Sequence, residues 1–190
     1  CLVQCELCEA VRFPTLSQQL QLPMKVSVIR KLAYRRIMHM QPISDGGASA
    51  VVFGDSHVRG WPASEPLPAA LGASVSVQGV GMDTWRFALP RAWLVAAQAP
   101  RAVLVVLGAN DLLIADAAPS PAAANASLAA SLQDARTVLL YLRAALPPGA
   151  RFFVHPAFGP HRTGPFARLS TFNAQLRALS AQVGAEYLGA

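Results

Sequence analysis

The chain has little fixed charge and no cysteine beyond its first eight residues. Charged residues make up 14% of the sequence, whereas hydrophobic residues make up 53%. Even so, no run of about eighteen residues lacks both charge and proline, which argues against a membrane-spanning helix. Cysteine occurs only as Cys1, Cys5 and Cys8, so no disulfide framework holds the main body of the chain. The length of 190 residues instead favours one domain with a sizeable core.

Positive charge is also sparse over most of the chain, and lysine is absent after Lys31. The formal net charge is +6, of which residues 1–48, with six basic and three acidic residues, carry +3. The remaining +3 is spread over the rest of the chain. Because that part has no dense basic patch, nucleic acid is not predicted as its partner.

Residues 1–47 differ from the remainder in composition. They include a basic amphipathic run, Met24–Met40, and end in the helix-breaking sequence Ile43-Ser44-Asp45-Gly46-Gly47. We interpret them as an N-terminal extension, poorly ordered or forming a basic helix, and residues 48–190 as the main domain. The cysteine spacing suggests half of a zinc site, but the nearest histidine, His39, lies outside the usual ligand spacing. No metal or cofactor is therefore predicted.

From Ala48 onward, short apolar runs alternate with longer segments of helical periodicity. The runs, which predict buried strands, are Ala50–Phe53, Val75–Gln78, Ala102–Leu107, Arg151–His155 and Ala185–Leu188. Apolar residues recur at helical spacing in Asn125–Leu146 and Phe166–Val183, and Pro90 interrupts a less regular segment after Asp83. This alternation predicts an α/β sandwich with a five-stranded, mainly parallel sheet. In such sheets, functional residues collect at the carboxyl ends of the strands.

The first strand leads directly into Gly54-Asp55-Ser56-His57, which places Ser56 in a loop at that edge of the sheet. A glycine permits a sharp turn there, and backbone N–H groups at a following helix start can face an oxyanion. Taken alone, the tripeptide is also typical of an ordinary turn. Ser56 is the candidate nucleophile.

The third strand ends in Gly108-Ala109-Asn110-Asp111 at the same predicted edge. The Asn110 side chain can donate a hydrogen bond to a developing oxyanion, although helix capping is the other interpretation. The second strand ends in a glycine-rich turn, in which the backbone of Gly81 can supply a further donor before Asp83 caps the next helix. Three successive strands thus deliver Ser, Gly and Asn to one edge, which is more specific than any of the three motifs alone.

In these motifs the chain resembles the SGNH hydrolases, or GDSL-like lipases and esterases, over residues 49–190. The resemblance implies a three-layer α/β/α sandwich of flavodoxin-like topology. It also implies hydrolysis of an acyl ester, a thioester or an acylated sugar, without a metal. In that family the serine is the nucleophile, and its N–H, a glycine N–H and an asparagine amide form the oxyanion hole. The matching residues are Ser56, Gly81 and Asn110; by spacing from Asn110, some family members would have that glycine at Met82, whose N–H is the alternative donor.

The family completes its catalytic triad with Asp-x-x-His near the C-terminus, and this chain has no Asp after Asp134. We expect that block to lie beyond Ala190, in a chain truncated at its C-terminus. His57 adjoins Ser56 in sequence, so we expect a stabilising or solvent-facing role for it. His155 and His161 follow the fourth strand at the correct edge, where either could contact substrate or substitute for the missing base.

Two other functions remain open. The first is a non-catalytic SGNH-like module that binds an acyl or sugar group without cleaving it, which the missing Asp-x-x-His supports. An in-frame Asp-x-x-His after Ala190 would favour the enzyme, and a stop codon there would favour the binding module. The second is a nucleic-acid-binding remnant in residues 1–47, joined to an esterase-like domain as in some retroelement proteins. Salt-dependent RNA binding by that segment would test it.

Overall fold

The computed structural model describes residues 49–59, 74–158 and 168–189. The predictions for residues 1–47, including the cysteine cluster and the basic helix, lie outside them, as does His161. The described residues contain a five-stranded sheet in which every neighbouring pair of strands is parallel. Its strands are β1 (Ala50–Gly54), β2 (Val75–Gly79), β3 (Ala102–Val106), β4 (Arg151–Val154) and β5 (Glu186–Tyr187).

Helices connect the strands. Within the described ranges they are α1 (Ser56–Arg59), α2 (Trp85–Ala88), α3 (Ala92–Ala97), α4 (Ala109–Asp116), α5 (Pro121–Ala145) and α6 (Leu169–Gln182). A 3-10 turn, Leu89–Arg91, joins α2 to α3, and Pro90 in that turn divides the segment into two short helices. None of these helices is both long enough and apolar enough to cross a bilayer.

The strand order is β2-β1-β3-β4-β5, so the connection from β2 to β3 passes over β1 and the order reverses between β1 and β3. This is the doubly wound, flavodoxin-like order, in which ligands bind outside the carboxyl ends of the strands where the order reverses. The predicted α/β class and parallel sheet are confirmed. All five strands are present with ends within one residue of prediction. Short apolar runs between helical segments are typical of strands in a parallel sheet that helices cover.

The sheet buries both faces. Alternate strand residues on one face pack against α2 to α6, and this main core includes Phe53, Val103, Val105, Phe152 and Val154. On the other face, Val52 and Val106 pack with Val58 of α1 in a smaller cluster. The alternation follows from the pleat, which turns successive side chains to opposite faces. Helix α1 therefore packs on this face of the sheet through Val58.

Helix α5 begins at Pro121, four residues before the predicted start at Asn125. Ser120 is its N-cap, and its hydroxyl accepts a hydrogen bond from the Ala123 N–H at 3.2 Å. Proline at the first helical position needs no hydrogen-bond partner for its nitrogen, so the helix extends through an alanine-rich turn that has no apolar stripe. The predicted beginning of α6, Phe166, lies outside the described residues.

Candidate active site

The strand order brings the ends of β1, β2 and β3 side by side. Gly54 at the end of β1 is in register with Gly79 of β2 and with Val106 of β3. Ser56, Gly81 and Asn110 each follow one of these three strands by only a few residues. The predicted convergence of the three loops at one edge of the sheet is therefore present in the backbone.

Ser56 is the first residue of α1 and is exposed, whereas the preceding Asp55 is 1% exposed. Two glycines allow this helix to lie close to the sheet. A Cβ on Gly54 would come within 2.5 Å of the Val58 Cγ2 atom of α1, and one on Gly79 would come within 2.1 Å of the Arg59 nitrogen. The position of Ser56 thus depends on two residues without side chains.

The Asp55 carboxylate holds the beginning of α1. Its Oδ1 accepts hydrogen bonds from the backbone N–H of His57 and from His57 Nδ1, each at 2.9 Å. Because a carboxylate can only accept from the ring, the proton of the neutral imidazole lies on Nδ1 and Nε2 is the basic nitrogen. The His57 ring packs edge-on against Phe158, with centroids 4.4 Å apart. These contacts hold the His57 ring at the start of α1.

His155 lies on the other side of Phe158, at 5.2 Å between ring centroids. Its Nδ1 is 2.7 Å from the Pro156 carbonyl oxygen, which again assigns the proton of the neutral ring to Nδ1. The structure therefore brings two imidazoles and one phenyl ring together at the carboxyl edge of the sheet.

Asn110 is in the first turn of α4 and is 5% exposed. Its amide nitrogen donates to the Asp83 carbonyl oxygen at 2.8 Å and lies 3.5 Å from Asp55 Oδ2. One amide hydrogen is thus committed to Asp83, and the other makes at most a long contact. The same side chain therefore touches both of the other loops. Gly108, with a φ of +115°, forms the turn that precedes the helix.

Asp111, the next residue, is buried and faces away from water. Its carboxylate accepts hydrogen bonds from the Trp85 N–H at 3.4 Å and from the hydroxyl of Ser131 on α5. Burial raises the pKa of Asp111 from 3.8 to about 6, although the bonds from Ser131 and Trp85 lower it and the charge of Asp134 raises it further. Asp111 therefore connects the Asn110 loop to the long helix. The capping interpretation is wrong for α4, whose N-cap is Gly108 without a side-chain hydrogen bond. Asp111 instead accepts from the first N–H of α2.

Gly81 and Met82 form the turn after β2. Gly81 has ordinary backbone geometry, and the nearest atom to a Cβ placed on it is Arg59 Nη1 at 3.5 Å. Met82 has a φ of +60° and is 66% exposed. A left-handed conformation costs a residue with a side chain roughly 1–2 kcal/mol, and such residues concentrate at functional sites.

The predicted role of Asp83 as a helix cap is wrong. Thr84 is the N-cap of α2, and its hydroxyl accepts from the Phe87 N–H at 3.4 Å. Asp83 instead forms a buried ion pair with Arg91, whose side chain is almost completely enclosed. Sequence reasoning did not identify Arg91 or Ser131. The available signals were a single arginine in the otherwise apolar segment Leu89–Ala97 and a serine on the apolar stripe of α5.

A doubly wound parallel sheet with polar loops converging on its switch point is the architecture of the SGNH class of ester hydrolases. The chain belongs to the GDSL-like lipase/acylhydrolase family, whose family model matches residues 44–190. No curated protein matches the chain.

Solved structures with this fold include several esterases. AlinE4, an SGNH-hydrolase family esterase, is 24% identical with a TM-score of 0.52 and covers 73% of this chain and 74% of its own. The acetylxylan esterase Axe2 from Geobacillus stearothermophilus is 16% identical with a TM-score of 0.59 and 78% coverage of both chains. The esterase EstA from Pseudoalteromonas sp. is 19% identical with a TM-score of 0.52, covering 73% of this chain and 75% of its own. At these identities the likeness shows the shared fold.

Proposed function

We propose that the chain hydrolyses carboxylic esters through an acyl-serine intermediate on Ser56. The oxyanion hole is formed by the N–H groups of Ser56 and Gly81 and by the side-chain amide of Asn110. The observation that carries the proposal is the position of the Asn110 amide, which contacts both the Asp83 carbonyl and the Asp55 carboxylate. It supports a hole built where the three loops meet.

In the first step the Ser56 hydroxyl oxygen bonds to the ester carbonyl carbon, and the carbonyl π electrons move to the oxygen. Hydrogen bonds from the hole stabilise this oxyanion, and in a site shielded from water such donors act without reorganising. The intermediate then collapses, re-forms the carbonyl and breaks the bond to the alcohol. Water repeats the sequence on the acyl-serine and releases the acid.

The proton of Ser56 must pass to a base and then to the departing alkoxide. The family resemblance implies an imidazole from an Asp-x-x-His block, which is not present in residues 1–190. His57 and His155 are the imidazoles at this edge of the described structure, and both hold a proton on Nδ1 in their neutral form. The variants His57→Gln and His155→Gln distinguish these two imidazoles as the base.

The substrate class of the proposal is a small acyl ester, a thioester or an acetylated sugar. Axe2 is described as an acetylxylan esterase, which makes acetylated xylo-oligosaccharides one class to assay. Short acyl groups are the starting point, with p-nitrophenyl acetate as a general probe.

A covalent label provides the direct test. EstA has been crystallised inhibited by monoethylphosphonate, and an activated ethylphosphonate ester is therefore a suitable reagent. We expect the intact protein to gain one phosphonyl group, located by peptide mass spectrometry on Ser56, and p-nitrophenyl acetate hydrolysis to cease in parallel. Ser56→Ala should neither label nor turn over substrate. Labelling elsewhere, or unchanged hydrolysis by Ser56→Ala, would contradict the proposal.

Asn110→Ala is the second arm, because it removes the side-chain donor and keeps the nucleophile. Loss of one such donor typically lowers kcat by about 10²–10³. Ser170→Ala, on the exposed side of α6, is a matched control for Ser56→Ala and should retain the wild-type rate. The non-catalytic binding module predicts the opposite pattern, in which an acylated ligand binds but Ser56 is never labelled.

A further inference from the structure

Arg91 is a fully enclosed cation directly beneath the loops of the candidate site. It is 1% exposed. One guanidinium nitrogen donates to the Gly54 carbonyl oxygen at 3.2 Å and pairs with the Asp83 carboxylate, and the other donates to the Gln78 carbonyl oxygen at 3.4 Å. The guanidinium carbon lies 4.7 Å from the centroid of the Phe53 ring. A single planar group therefore contacts the ends of β1 and β2 and the turn after β2.

A buried ion pair such as Arg91–Asp83 is not an efficient way to stabilise the folded state. Removing an ion pair from water costs several kcal/mol per ion, and replacing a buried pair with well-packed apolar residues is often neutral or stabilising. An apolar side chain would suit the surrounding core, since Trp85, Ala88, Ala92 and Val95 nearby in sequence are all completely buried. The guanidinium has a property that no apolar side chain offers, which is several donors in a rigid plane.

The acceptors that Arg91 binds are those that precede the proposed oxyanion-hole residues. Gly54 lies two residues before Ser56, and Gln78 lies three residues before Gly81. Asp83 takes part twice: its carboxylate pairs with Arg91, and its carbonyl oxygen accepts from the Asn110 amide. All three proposed donors are thus connected to one side chain through at most one further residue or a short stretch of backbone.

We propose that Arg91 is a positioning residue for the oxyanion hole. Through its contacts with the strand ends and the turn after β2, it sets the distances between the Ser56, Gly81 and Asn110 donors. The inference rests on the proposed function. It assigns Arg91 no contact with substrate. A misplacement of about 1 Å in such a site can lower the rate by about 10²-fold, which gives the scale of the expected effect.

The main test uses Arg91→Lys, which keeps the positive charge and loses the planar fork. Arg86→Lys is the control, because Arg86 lies five residues away, is partly exposed and acts electrostatically on Asp134 of α5. We expect kcat for p-nitrophenyl acetate to fall 10- to 100-fold in Arg91→Lys with KM within threefold of wild type, and the rate of phosphonylation of Ser56 to fall in proportion. Rates are expressed per labelled Ser56, so that a smaller fraction of folded protein does not lower the measured rate. A lowered melting temperature with an unchanged rate per labelled site would overturn the inference.

An independent measurement does not require activity. The side-chain amide signals of Asn110 in a nitrogen–proton NMR spectrum report the bond to Asp83 and its surroundings. We expect them to shift in Arg91→Lys and to stay in place in Arg86→Lys; signals that coincide with wild type in both variants would refute a positioning role. If wild-type protein is neither labelled nor active, the proposed function fails, while these signals still decide whether Arg91 positions Asn110.

If Arg91→Lys does not fold, Phe53→Leu replaces it. That variant removes the ring on which the guanidinium lies, and so loosens the plane in which Arg91 makes its hydrogen bonds. We expect the same two effects as in Arg91→Lys, but smaller: kcat falls two- to fivefold and the Asn110 side-chain amide signals shift. Wild-type kcat together with wild-type Asn110 signals would overturn the inference.

Discussion

The contact between Gly79 and α1 predicts a large effect of a very small substitution. In Gly79→Ala the added Cβ would lie 2.1 Å from the Arg59 nitrogen and 2.6 Å from both the Arg59 Cα and the Val58 carbonyl carbon. Ordinary van der Waals contact begins at 3.4 Å. All three atoms belong to backbone, so no side-chain rotation relieves the clash. Helix α1 must move from the sheet by about 1 Å, carrying Ser56 with it.

The energetic cost follows from two known scales. Overpacking by a single added group costs about 1–3 kcal/mol, and here the neighbour that must move is a helix that also packs on Gly54. With a urea m-value of about 2 kcal/mol/M, a loss of 2 kcal/mol lowers the unfolding midpoint by about 1 M. The displaced nucleophile should also react about 10²-fold more slowly with the phosphonate.

The assay is urea unfolding followed by circular dichroism, and Gly81→Ala is the matched control. At Gly81 the same Cβ meets only the mobile end of the Arg59 side chain, at 3.5 Å, and the backbone φ is not left-handed. We expect the midpoint of Gly81→Ala to stay close to wild type. Equal midpoints for the two alanine variants would refute the close packing of α1 on β2.

Three further predictions concern stability. Between about pH 4 and pH 6 the folded protein retains a proton on Asp111 that the unfolded chain releases, since burial raises the pKa of Asp111 from 3.8 to about 6. This contribution to the free energy of unfolding is present at pH 4 and is lost as the pH rises through 6; it amounts to about 3 kcal/mol at about 1.4 kcal/mol per pKa unit. Urea unfolding of Asp111→Asn should lack that fall, and a parallel pH profile would contradict the assignment. In Met82→Gly the free energy of unfolding should stay within about 1 kcal/mol of wild type, because relief of the left-handed strain offsets the greater backbone entropy of glycine in the unfolded chain. Met82→Val should melt at a clearly lower temperature than wild type, because a β-branched residue tolerates the left-handed conformation poorly. Ser120→Ala removes the cap of α5 and should cost about 1 kcal/mol in the same melts; no change would mean that the cap bond is not formed in solution.

One variant tests whether His57 is the base that accepts the Ser56 proton. His57→Gln keeps a donor near Asp55 and removes the basic nitrogen. We expect at most a tenfold loss in p-nitrophenyl acetate hydrolysis, as suits a residue that stabilises the start of α1. A loss as complete as that of Ser56→Ala, with normal stability, would instead identify His57 as the base, and His155→Gln is the parallel experiment for the second imidazole.

The strands and the three converging loops were predictable from the sequence because their signals are local. A β-branched run such as Ala102–Val106 predicts a buried strand, and the topology of parallel sheets then determines the edge at which Asn110 lies. The family resemblance rests on the same short motifs.

The interactions beneath the loops were not predictable in the same way. Asp83 was expected to cap a helix because Asp before an apolar segment commonly does so, and the competing hydroxyl of Thr84 is the next residue. Its true partner, Arg91, is eight residues away across a turn whose course depends on Pro90. Ion pairs of this kind depend on tertiary packing, and no periodic pattern in the sequence indicates which residues will pair.

The two glycines under α1 also bear on how the sheet assembles. Gly54 and Gly79 are partners in the parallel register of β1 and β2, and α1 rests on both. If β2 slipped by one residue, Gln78 or Val80 would bring a side chain to the place where even a methyl group does not fit. A sheet in the wrong register thus has no room for α1. Partly folded chains with a slipped β2 would therefore lack an ordered Ser56, so that the nucleophile is in place only after the strands have paired correctly.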